Sequence, residues 1–156
     1  MLAEGIHDLC FQLNRLGKHI TIETATTIPP DGIICSLASL SPKLSNSRPG
    51  DNVSVAIQKQ HERKRLHIDV IKAWLDDYEY QLKFVISSAS DIEEMLRLLE
   101  KLDRTIPSDR ILLMPEGVDS SSFEVSSSFI VSACKDYGFR YCDRLHIRLF
   151  GNKRGC

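Results

Sequence analysis

The run Gln81-Leu82-Lys83-Phe84 places an amide and an ammonium on one side of an extended chain and two apolar side chains on the other. A lysine on the inner side of a barrel strand is costly unless a carboxylate, a phosphate or another anion neutralises it. Lys83 therefore reads in two ways, as a brace to Glu23 or Glu116 or as a contact for an anionic ligand. Three further polar tips follow strand-like runs: Glu23-Thr24-Ala25-Thr26-Thr27, Ser41-Pro42-Lys43 and Met114-Pro115-Glu116-Gly117. In parallel α/β folds ligands bind at the carboxyl ends of the strands, which makes these groups candidates for binding. Lys43 has an alternative reading as a solvated loop lysine.

Several other chemistries lack the residues they need. The chain has no G-x-S-x-G, no G-x-x-x-x-G-K-[ST] and no G-x-G-x-x-G, which excludes a nucleophile elbow, a P-loop and a dinucleotide fingerprint. His61-Glu62 lacks the second histidine of a zinc-hydrolase helix, and His7 and His67 are scattered. His146 reads as a core histidine within a strand. Cys10, Cys35, Cys134, Cys142 and Cys156 form no C-x-x-C pair, so neither a disulfide framework nor a zinc ribbon is indicated. They read as reduced thiols packed like small hydrophobes.

The elements that must position these groups follow from periodicity. Leu2, Ile6, Leu9, Leu13 and Leu16 repeat at helical spacing, with Gly17 placed to end the helix. Residues 19–24 alternate as a strand, residues 32–40 read as a buried strand, and residues 41–54 as a long loop. A helix is expected over 65–78, a strand over 80–87, and a helix to Leu102 opened by a Ser90/Glu93 capping box. A strand over 110–115, a helix over 123–137 introduced by Ser121 and Glu124 and closed by Gly138, and a last strand over 145–150 complete the reading. Alternating strands and helices imply an α/β fold, with mostly parallel strands and helical crossovers. With no repeat or change of composition, residues 1–156 read as one domain.

Composition limits the partners. Twenty Lys+Arg against 21 Asp+Glu give a net charge of -1, so no global field recruits nucleic acid or an anionic membrane. The longest apolar runs fall far short of the roughly 20 residues of a membrane span. Glu4, His7 and Asp8 interrupt the place of a secretory signal core, and a cytoplasmic protein is expected.

The order of the tips is more specific than any one of them. His19-Ile20-Thr21-Ile22-Glu23-Thr24, Ser39-Leu40-Ser41-Pro42-Lys43-Leu44-Ser45-Asn46-Ser47, Tyr80-Gln81-Leu82-Lys83-Phe84-Val85, Leu113-Met114-Pro115-Glu116-Gly117 and the closing Gly151-Asn152-Lys153-Arg154-Gly155 together resemble the 7-carboxy-7-deazaguanine synthases. This is a radical S-adenosylmethionine family of queuosine and deazapurine biosynthesis, which feeds tRNA modification, and the resemblance covers nearly the whole chain. It implies part of a (β/α) barrel of the radical S-adenosylmethionine type. It also implies a lyase activity, with a 4Fe–4S cluster and S-adenosylmethionine generating a radical that acts on 6-carboxy-5,6,7,8-tetrahydropterin. Ring contraction to 7-carboxy-7-deazaguanine then releases ammonia with Mg2+ assisting. By resemblance Thr24 and Cys156 contact the pterin, while Thr26, Ser41, Pro42, Lys43, Gln81, Leu82, Lys83 and Phe84 line the S-adenosylmethionine site.

Two departures accompany the resemblance. The family's C-x-x-x-C-x-x-C-type cluster loop, its magnesium ligand and its glycine-rich motif belong to an N-terminal part for which this chain has no counterpart. The family's Glu-Thr-Ala-Gly-Thr also reads Glu23-Thr24-Ala25-Thr26-Thr27 here, placing a β-branched residue where glycine allows close approach or positive φ. The leading expectation is the C-terminal part of such a synthase, inactive alone and a homodimer or completed by an N-terminal segment. The alternative is a non-catalytic pterin- or S-adenosylmethionine-binding or assembly module, and a third reading is an unrelated α/β enzyme using Lys83 and Glu116.

Overall fold

The computed structural model describes residues 4–50, 53–117, 120–151 and 153. The chain forms two compact units, Met1–Lys43 with Ser47–Leu82, and Leu44–Asn46 with Lys83–Cys156.

The first unit opens with α1 (Ile6–Arg15), which buries Cys10. Gly17 ends it at φ 65, where Lys18 N–H donates to Leu13 O at 3.1 Å and Gly17 N–H to Asn14 O at 2.9 Å. That left-handed turn costs glycine nothing. β1 (Thr21–Thr24) and β2 (Leu37–Leu40) pair in parallel from Thr21↔Leu37 to Thr24↔Leu40. α2 (Val55–Lys64) and α3 (Ile68–Asp77) then lead to β3 (Tyr80–Ile86), whose first residues pair in parallel with β2 at Ala38↔Tyr80, Ser39↔Gln81 and Leu40↔Leu82. Ala38, Leu40, Ile71, Trp74 and Leu82 are fully buried, so the α3 stripe and the apolar residues of β2 and β3 form this unit's core. The Trp74 indole N–H donates to Ile28 O at 2.9 Å, which satisfies its polar edge, and its ring lies 5.1 Å from that of Tyr78.

The second unit holds the rest of β3, then α4 (Ala89–Lys101), β4 (Ile111–Pro115), α5 (Ser120–Tyr137), β5 (Arg140–Tyr141) and α6 (Leu145–Phe150). Its strand order is β3-β4-β5, with β4 and β5 parallel at Leu112↔Arg140 and Leu113↔Tyr141. Phe84, Ile86, Met95, Leu113 and Ile130 are wholly buried. The fold is thus α/β with helical crossovers, as the alternation of patterns predicts. In neither unit do the strands close into a barrel. No helix among the described residues is long and apolar enough to cross a membrane.

Four local expectations are corrected. Residues 145–150 are helix α6, not a strand, and His146 is exposed on it. Six residues are too few to distinguish the two periods, and Asp143 decides the matter locally by accepting the Arg144 N–H at 2.7 Å and pairing with Arg148. The strand that does pair with β4 is Arg140–Tyr141, too short for a pattern to register. α2 escapes a periodicity reading because it buries no residue at all, and the next helix begins at Ile68 instead of 65. The box opening α4 uses Ser88 and Asp91, two residues before Ser90 and Glu93. Asp91 Oδ2 accepts from Ser87 N at 2.8 Å, Ser88 N at 2.9 Å and Ser87 Oγ at 2.7 Å. The Ser121/Glu124 box lies outside the residues whose side chains are described.

Candidate functional site

Parallel strands leave their last carbonyls and the following loop at one end, and the first unit's polar groups gather there. Ser41 N–H donates to Thr24 O at 2.8 Å, extending the β1–β2 ladder by one bond beyond Thr24↔Leu40. Thr24 Oγ1 accepts the Thr26 N–H at 3.1 Å, and Lys43 Nζ lies 3.4 Å from Ser41 Oγ. Thr24, Thr26, Ser41 and Lys43 are therefore one hydrogen-bonded group spanning both strand tips.

Thr26 is the unusual member. Its φ is 58, it is fully buried, and its hydroxyl turns back onto Ala25 O at 2.6 Å. A β-branched residue in the left-handed region is strained, on the order of 1–3 kcal/mol, and such strain persists only where the surroundings impose it. The glycine-for-threonine difference noted in the sequence thus falls at a position whose backbone is indeed of the glycine kind.

Lys43 is held from behind by a residue that the sequence reading does not single out. Arg65 Nη1 donates to Lys43 O at 3.2 Å, while its Nε and Nη2 make a bidentate pair with Glu62 at 2.8 and 2.7 Å. The guanidinium hydrogen bond holds the Glu62 carboxyl below the usual carboxylate range. The i,i+3 spacing of Glu62 and Arg65 is a signal available in sequence, but the reach of Arg65 across 22 positions to Lys43 is not. Beside this group lies a cavity of about 430 Å3, lined among others by Ala25, Thr27, Lys43, His61, Lys64 and Arg65. His61 Nδ1 is buried at its wall with no hydrogen-bond partner among the described residues, a cost that a ligand group would remove.

The remaining expected site residues are placed unevenly. Pro42 is buried between Ser41 and Lys43. Gln81 is half-buried in the first unit, where its Nε2 donates to Ser39 Oγ at 3.0 Å. Leu82 and Phe84 are fully buried, so their side chains serve the core and only their backbone is left for a ligand. β3 passes from the first unit to the second between Leu82 and Lys83, so Lys83 and Phe84 belong to the second, where Lys83 is half-buried. Cys156 lies outside the described residues.

The thiols are dispersed. Cys10 and Cys35 are in the first unit, Cys134 and Cys142 in the second. Burial, then the neighbouring Cys10, pushes the Cys35 thiol up, and burial alone pushes up Cys134. Protonated thiols are poor metal ligands. Among the described residues no three His, Cys, Asp or Glu side chains form a group that could hold a metal ion.

No protein-family model matches the sequence. Known proteins do. The chain is 38% identical over 156 residues to a 7-carboxy-7-deazaguanine synthase of Rhodopirellula baltica, covering 99% of this chain and 60% of that protein. It is 35% identical over 162 residues to the 7-carboxy-7-deazaguanine synthase of Halobacterium salinarum, with 94% and 62% covered. A third, from Pyrobaculum aerophilum, is 30% identical, with 97% and 60% covered. The chain spans about 60% of the length of these curated relatives.

Proposed function

This chain is a homologue of the 7-carboxy-7-deazaguanine synthases, and on that premise we propose that it is the C-terminal portion of such an enzyme and supplies its S-adenosylmethionine and pterin walls. The observation that carries the reading is the hydrogen-bonded group Thr24–Thr26–Ser41–Lys43 at the carboxyl ends of β1 and β2, beside the cavity with the orphaned His61 nitrogen. The reaction assigned to the whole enzyme converts 6-carboxy-5,6,7,8-tetrahydropterin to 7-carboxy-7-deazaguanine with loss of ammonia. The complete protein would carry these strands within a (β/α) barrel.

S-adenosylmethionine, when bound, supplies the radical that begins this chemistry. The residues in hand have the task of binding and orienting it. The Lys43 ammonium would oppose the carboxylate of the methionyl group, and Arg65, by holding the Lys43 carbonyl, steadies the backbone from which that side chain projects. The Ser41 hydroxyl, 3.4 Å from that ammonium, adds a neutral donor and acceptor for the same end of the molecule. Thr24 stands one residue before the turn and offers a hydroxyl to the amide edge of a pterin. His61 Nδ1 gives the cavity one further polar contact. Among the described residues the thiols do not fit a 4Fe–4S cluster, since no three His, Cys, Asp or Glu side chains come together, and no magnesium ligand set is offered either. No step is assigned through those groups.

The lack of a metal-ligating group among the described residues favours a second reading, in which the same walls serve a non-catalytic binding or assembly module. Titration calorimetry with S-adenosylmethionine tests the premise common to both. The chain is expected to bind it, and Lys43→Ala to weaken binding by about tenfold, the effect of losing one charge-assisted contact. Absence of binding by the folded chain, or an unchanged affinity in Lys43→Ala, would overturn the assignment.

A further inference from the structure

On the other flank of α2 lies a second cavity of about 780 Å3, within the range of small-molecule sites. Lys59, Arg63, Lys64 and His67 line it, against an apolar wall that includes Ile28 and Ala56, and its lining contains no carboxylate. α2 carries one acid, Glu62, and that acid is occupied by Arg65. The ion pairs of the described residues leave Lys59, Arg63 and Lys64 without a carboxylate partner.

Such an arrangement works against the folded helix. Lys59 and Arg63 stand at i,i+4, where like charges repel, and α2 buries no residue whose packing would offset that repulsion. The negative end of the helix dipole accounts for Arg63 and Lys64 in the last turn, but not for Lys59 or for His67, which stands beyond α2 as the N-cap of α3. What relieves all four at once is a ligand with several negative charges on adjacent groups. Arginine's planar fork and lysine's point charge both suit phosphate oxygens.

We propose that this cavity binds an oligophosphate, free or as part of a nucleotide, and that the ligand orders α2. The inference is independent of the S-adenosylmethionine reading, because Lys59, Arg63 and His67 line this cavity and not the first, although Lys64 borders both, and its probes carry phosphate. Titration of the chain with tripolyphosphate and with ATP tests it, at low and at physiological ionic strength. Saturable binding of at least one probe is expected, weakened at least tenfold in Lys59→Gln/Arg63→Gln. The control variant Lys101→Gln/Lys135→Gln removes the same charge from the exposed surface of the second unit and is expected to keep full affinity. Tighter binding of ATP assigns the site to a nucleotide, and equal or tighter binding of tripolyphosphate assigns it to the phosphate chain alone. Amide hydrogen exchange gives the second readout, with 55–64 slowed by the probe. No saturable binding of either probe, an equal loss in the control variant, or unchanged exchange in α2 at saturation would overturn the proposal.

Discussion

Thr26 concentrates the tension between backbone and side chain in this protein. Its φ of 58 is a glycine conformation occupied by a β-branched residue, buried and bonded back onto Ala25. Thr26→Gly should relieve strain while giving up some buried contact and gaining unfolded-chain entropy, for a net stabilisation of about 1 kcal/mol. In thermal unfolding that is a rise of about 2–4 °C for a chain of this size, and a lower midpoint would mean that side-chain packing outweighs strain. The departure from the family's glycine is legible in the sequence. The positive φ that gives it physical weight is not, because no local pattern surrounding Thr26 distinguishes that turn from an ordinary one.

At the scale of elements, α4 depends on a single carboxylate. Burial works to raise the Asp91 pKa, but hydrogen bonds from Ser87, Ser88 and Asn46 outweigh it and hold the group below the usual range. A depressed carboxylate pKa contributes stability that is present in full above the unfolded value of about 3.9 and is lost as pH falls through the lower folded value. Asp91→Ala should therefore cost about 1–2 kcal/mol in denaturant unfolding at neutral pH. The gap between the two proteins should close as pH falls below about 4, and a constant gap across that range would deny the carboxylate its role. The serines and acids that begin α4 make a capping box evident from sequence, yet the phase of that box is decided by which serine leaves the strand in extended conformation, namely Ser88 at φ -152.

At the scale of the whole molecule, the chain's similarity to larger relatives meets a set of thiols dispersed over two units. Anaerobic reconstitution with iron and sulfide should yield no stoichiometric cluster absorption from this chain alone. A robust 4Fe–4S signal would defeat the assignment of this chain to the walls of the site without its cluster. Net charge gives no hint of the basic cavity on α2, because 20 Lys+Arg and 21 Asp+Glu cancel in a sum while Lys59, Arg63 and Lys64 concentrate locally.

The sequence by itself determined the class of fold, the positions of β1, β3, β4 and most helices, and the strand tips at which Thr24, Ser41 and Lys43 stand. These follow from period, β-branching and glycine placement, which act over a few residues. Only the tertiary structure decided that Arg65 reaches back to Lys43, that Leu82 and Phe84 spend their side chains on the core, and that Thr26 is strained. Each of those depends on groups tens of residues apart or on a turn imposed by its surroundings, and such contacts leave no periodic trace in the chain.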